Sequence, residues 1–166
     1  MDPSHPPDTL PHALVVEVAG TCLALPLGRV GEVHRGALPH PLPRAPEGCL
    51  GVLDLHGRLV PLLDAGALMG LRPLPPERVQ AALLRGHLVR VRGAAGEEAL
   101  LLVERVRGLG LPAGPGAALV PPEAGAGAGA GARVPLVDVA RLLADPRLAP
   151  LWRHAAADGS GAGGAR

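Results

Sequence analysis

The chain has 166 residues, is 48% apolar and carries a net charge of +1. That length suits one domain whose core needs no disulfide or metal, and so small a charge gives no long-range pull toward nucleic acid or anionic membrane. There is no Lys, Asn, Ile, Phe or Tyr, and all sixteen cations are Arg. Without Lys there is neither a phosphate-loop lysine nor a Schiff base. Ser occurs only at Ser4 and Ser160, in segments expected to be tails, so a serine nucleophile in the core is excluded. Trp152 is the single aromatic residue, which removes stacking platforms for single-stranded nucleic acid. Cys22 and Cys49 stand far apart and make neither a disulfide framework nor a zinc site, so a reducing, cytoplasmic setting is expected. No apolar run approaches the ~20 residues of a membrane helix, and no direct membrane insertion is expected.

In chain order, residues 1–11 are Pro-rich and aperiodic, a disordered leader with no signal-peptide pattern. Leu14, Val16 and Val18 alternate with polar or outward positions, as a strand does. Leu23, Leu25 and Leu27 do the same in the next run. "PHPLPRAPEG" can be neither helix nor central strand, because each Pro lacks an amide donor. "GVLDLHGRLVPLLDAG", Gly51–Gly66, reads as a hairpin with a tight turn at His56-Gly57. A short helix is expected near residues 65–70. "GHLVRVRG" and "EEALLLVERVRG" form a second strand pair joined by Gly93–Gly96, with Val89 and Val91 on one face and Arg90 and Arg92 on the other. The Gly-Ala run from Gly125 to Ala132 reads as a linker. "RVPLVDV" reads as a strand, and "DVARLLADP" as a short helix over 138–145 with a capping Asp and a terminating Pro. A second short helix is expected to start from Pro146, followed by a Gly/Ala tail, so 148–166 forms a C-terminal unit. Strands at eight- to twelve-residue spacing indicate a barrel or sandwich. The expected core is Leu14, Val16, Val18, Leu23, Leu25, Val30, Val33, Val52, Val60, Leu62, Val89, Val91, Leu102, Val103, Val106, Leu136 and Val139.

Three chemistries have partial signatures in this sequence. "LLDAG", Leu62–Gly66, resembles the Asp-Thr/Ser-Gly signature of dimeric aspartic proteases, in which two Asp share a proton and activate water. Ala65 lacks the hydroxyl that braces such loops, and an acid ending a buried strand and capping a turn is the simpler account of Asp64. The seven histidines include no pair at helical metal-binding spacing. The glycines at Gly108–Gly116 have no strand-to-helix step after them, so no phosphate cradle is expected. No catalytic constellation, metal or cofactor remains, and the chain reads as a binding protein.

The order of features resembles the CheW-like domain of bacterial chemosensory systems. "LVVEVAGTCLALPLGRVGEVHR", Leu14–Arg35, resembles its opening pair of strands. "LPRAPEGCLGVLDLHGRLVPLLDAGALMGL", Leu42–Leu71, resembles its signature block almost position by position. "EEALLLVERVRGLGLP", Glu97–Pro112, and "VPLVDVARLL", Val134–Leu143, resemble two later segments. The likeness covers residues 12–147.

The resemblance implies an all-β fold of two small SH3-like β-barrel lobes with short helices. It also implies a non-catalytic adaptor joining the cytoplasmic tip of a methyl-accepting chemoreceptor to the regulatory domain of a CheA-type histidine kinase. An alternative within the family is an adaptor serving pili, gliding or a second messenger. The family's usual Arg in its hairpin turn is His56 here, within Asp54-Leu55-His56-Gly57. That Arg is implicated in receptor contact, alongside an acid matching Glu32. A histidine keeps a donor but loses the permanent charge and bidentate fork. The expected interaction surface is Val30, Glu32 and Arg35 together with Leu53, Asp54, His56, Gly57, Arg58 and Leu59.

Overall fold

The computed structural model describes residues 13–110 and 134–158. The expected leader, the Gly-Ala linker and the end of the tail lie outside the described residues. Among the described residues eight strands run β1 (Ala13–Val18), β2 (Thr21–Pro26), β3 (Val30–Arg35), β4 (Cys49–Leu55), β5 (Arg58–Asp64), β6 (His87–Arg92), β7 (Glu98–Val103) and β8 (Arg105–Gly110). The helices are α1 (Ala65–Leu68), α2 (Pro76–Arg85), α3 (Val139–Leu143) and α4 (Ala149–Asp158).

The strands form two open sheets rather than two barrels. One is antiparallel with order β2-β1-β8, and the other has order β3-β6-β7-β5-β4 with β5 parallel to β7. Neither order closes on itself, so the expected all-β, SH3-like barrel architecture is corrected to a mixed α/β fold with open sheets. Alternation with period two reveals a strand and its buried face. It carries nothing about whether the last strand returns to the first.

Two local features separate the sheets. "EEALLLVERVRG" is not one strand: it breaks at Glu104, and β7 stays in the five-stranded sheet while β8 crosses to pair with β1. The segment expected as a strand near Val134 makes only isolated bridges, one of them Ala24 with Leu136.

The five-stranded sheet buries both faces. Leu63, Val89, Val91, Ala99, Leu101 and Val103 point toward the three-stranded sheet, where they join Val16, Leu23 and Leu25 and the apolar sides of α1, α3 and α4 in the main core. Leu53, Val60, Leu62, Leu88, Leu100 and Leu102 point the other way and are covered by Val79, Ala82 and Leu83 of α2. The sequence reading missed α2. Its signals were a Pro at the first helical position and Val79 and Leu83 four residues apart. Of the expected core, Val33 is exposed, and Val30, Val52, Val106 and Leu136 are only half-buried. Val30 and Val33 lie on β3 and Val106 on β8, both edge strands, where a second neighbour is lacking to complete burial.

Candidate protein-interaction surface

The β4–β5 hairpin closes through the Leu55–Arg58 pair, leaving a two-residue loop of His56 and Gly57. Both have positive φ, +55° and +82°, as a type I′ turn requires. Gly57 adopts this without steric cost, and His is among the few other residues that tolerate it. The Asp54 carboxylate locks the turn by accepting a 2.7 Å hydrogen bond from the Gly57 amide. Asp54 stands opposite Leu59 in the ladder, and both are exposed. Leu59 is 63% exposed, unusual for a strand leucine, whereas Leu53 is buried in the outer cluster.

Beside this hairpin a line of charges crosses four strands. Arg58 on β5 reaches Glu98 on β7 at 3.5 Å. Arg90 and Arg92 on β6 bind the same carboxylate at 3.0 and 3.1 Å. Arg90 also lies 3.6 Å from Glu32 on β3, and Glu32 lies 3.1 Å from His34 Nε2. The sequence reading missed Glu98, Arg90 and Arg92 as site residues. The signal was off by one position: counting outward from a Gly93–Gly96 turn sets Arg92 opposite Glu97, but Gly93 donates to the Glu97 carbonyl at 2.8 Å and so shifts Arg92 opposite Glu98.

The structure does not bring Glu32 and His56 together. Glu32 is on one edge strand and His56 on the hairpin at the other edge, with β6 and β7 between them. Val30 is half-buried, pairs with Val91 and packs against the main core. Arg35 is exposed at the end of β3, opposite His87. Asp64 is buried, and its two oxygens accept from the amides of Gly66, Ala67 and Leu74 at 2.9, 3.3 and 2.8 Å. That is the capping arrangement, with no oxygen set aside for water. Among the described residues no group of three or more His, Cys, Asp or Glu could hold a metal ion, and no helix is long and apolar enough to cross a membrane.

Burial pushes the Glu98 carboxyl up. The hydrogen bond from Arg90 and the charges of Arg90, Arg58 and Arg92 outweigh that and hold it below its ordinary 4.5. A carboxylate depressed in the folded state adds stability above its unfolded value, and that contribution is lost as pH falls through the folded value. Urea midpoints of the native chain and of Glu98→Gln are therefore expected to differ at pH 7 and to converge as pH drops below 4.5. A gap that is constant with pH would show that the three arginines do not stabilise the ionised form.

Residues 12–147 match the family model of the CheW-like domain. No curated protein matches the chain. Among solved structures, the scaffolding protein TtCheW from Thermoanaerobacter tengcongensis is similar, with a TM-score of 0.51 and 21% identity. The alignment covers 61% of this chain and 64% of that one.

Proposed function

The chain belongs to the CheW-like domain family, and from that membership we propose that it is a non-catalytic adaptor coupling chemoreceptors to a CheA-type histidine kinase. The match over residues 12–147 is the observation that carries the reading. The surface around the hairpin supports it. Exposed Leu59 lies at the hairpin tip and exposed Val33 on β3, and the charge line from Arg58 to Glu32 runs between those strands. Exposed apolar side chains on two strands, separated by β6 and β7, with charges close by suit a reversible interface of about 1,200–2,000 Å² in total. In this proposal Glu32, Arg35, Asp54, His56, Arg58 and Leu59 contact partners. Val30, Leu53 and Gly57 support them from within the fold. The receptor tip and the kinase regulatory domain are the partners, and the setting is cytoplasmic.

Titration calorimetry against the regulatory domains of the CheA-type kinases of the source organism tests the proposal. Binding is expected with at least one of them. Leu59→Asp puts a charge without a partner into the contact and should weaken binding at least ~tenfold. Leu59 is the position to use because it is exposed, whereas an Asp at Val30 would disturb the core. Trp152 serves as the folding control, since its Nε1 donates to the Leu143 carbonyl at 2.9 Å and α4 carries it against the main core. No heat with any kinase domain would remove the kinase partner. Unchanged affinity in a folded Leu59→Asp protein would move the contact off this hairpin.

A further inference from the structure

A cleft of about 900 Å³ opens between α2, the turn that ends β1, and the Val103–Arg105 segment where the chain passes from one sheet to the other. Its size is within the range of ligand sites. Arg72, Arg78, Arg85 and Arg105 line it. None of the four forms an ion pair among the described residues, whereas Arg58, Arg90, Arg92, Arg107 and Arg147 each do. The carboxylates in the cleft do not balance them. Glu17 is held by Arg107, and Asp64 is filled by three backbone amides. Asp64 keeps its charge, so with Glu77 and Glu104 three carboxylates stand against four guanidinium groups. His87 also lines the cleft, and its Nδ1 is buried with no hydrogen-bond partner. Arginines without a carboxylate partner among the described residues call for an acceptor that the chain itself does not supply, and the unpartnered ring nitrogen beside them adds a second unmet polar group.

The lining narrows the kind of acceptor. Leu74, Leu102 and Val103 provide apolar walls, and no Phe, Tyr or Trp is present to stack a base. Carboxylates on aliphatic stems meet both demands, because a guanidinium grips a carboxylate with two parallel hydrogen bonds. Spacing narrows it further. Arg78 and Arg85 are seven residues apart on α2, so they share a face and stand ~10 Å apart along the axis. A single small diacid is too short to engage both. A peptide in the polyproline II conformation rises ~3.1 Å per residue with three residues per turn, so acids three positions apart lie on one face and ~9 Å apart, enough to reach both arginines. We propose that this cleft binds an acidic peptide segment of a partner protein, with Asp or Glu carboxylates on Arg78 and Arg85 and their stems against Leu74 and Leu102.

Fluorescence anisotropy with fluorescein-labelled hexaglutamate and the full chain tests this, with unlabelled glutarate as competitor. The peptide is expected to bind, and the double variant Arg78→Glu, Arg85→Glu to bind it at least ~tenfold more weakly. Arg44→Glu with Arg141→Glu changes two exposed arginines outside the cleft and should leave binding within about twofold. Absence of binding would overturn the proposal. So would an equal loss in both double variants, which would mean attraction to overall charge. Glutarate displacing the peptide at comparable concentration would also overturn it, since one small diacid would then suffice.

Discussion

Gly51→Ala is expected to destabilise the fold by about 3–5 kcal/mol, read as a shift in the urea midpoint followed by Trp152 fluorescence. Gly51 has φ +133°, a conformation that side-chain-bearing residues rarely adopt, and forcing one there costs about 1–3 kcal/mol. The space is closed as well. A Cβ at this position would lie 2.4 Å from the His40 carbonyl oxygen and 3.0 Å from Pro39 Cβ. The Pro39–His40 segment would have to move. It is tied to β4 by reciprocal hydrogen bonds between His40 and Val52 of 2.8 and 2.9 Å, each contributing about 1 kcal/mol. Gly57→Ala is the control. It also has positive φ, but nothing lies within 4 Å of its added Cβ, so only the conformational cost of about 1 kcal/mol applies. Equal losses in the two variants would show that the close approach of His40 contributes nothing. The loss at Gly51 should carry over to binding, because Gly51 sets the bulge that begins β4, the strand leading to the hairpin turn.

The same hairpin shows what a sequence can reveal. Two apolar runs around His56-Gly57 specify antiparallel pairing and a two-residue turn, because both depend on neighbours within a few positions. The wider architecture depends on contacts between distant segments. The parallel pairing of β5 with β7 brings Leu62–Asp64 beside Leu100–Leu102, and no local period encodes that choice. Hence the hairpin strands were legible, while the break at Glu104, the isolated bridges near Val134 and the open sheets were not. Helix α2 was hidden by the prolines before it, which read as loop although Pro at a first helical position begins helices. The candidate surface divided in the same way. Asp54, His56, Arg58 and Leu59 could be read as exposed from the hairpin alone. Glu98, the hub of the charge line, became visible only when β5, β6 and β7 were laid side by side.

Asp64→Ala is the second large effect, expected at about 2–4 kcal/mol. The side chain serves as an acceptor for three backbone donors. Oδ1 takes the amides of Gly66 and Ala67, which begin α1, and Oδ2 takes the Leu74 amide from the loop before α2. Truncation leaves these donors without acceptors in a region where Asp64 is only 9% exposed, and each orphan costs about 1 kcal/mol or more. Asp64→Asn separates capping from charge. The amide can keep one oxygen toward Gly66 and Ala67, but it then turns an NH2 group toward the Leu74 N–H, donor against donor. Its loss should fall between those of the native chain and the Ala variant. If the carboxylate instead served hydrolysis, Asn would remove a peptidase activity while leaving the urea midpoint unchanged. The three hydrogen bonds argue for the opposite result: a lower midpoint, no peptidase activity in either protein, and binding to a kinase domain retained wherever the Asn variant is folded. Asp64 ends β5 at the far end of the strand from the exposed hairpin turn, six residues after Arg58, so its work is to fix where β5 stops and α1 starts, and through β5 the position of Arg58 and Leu59.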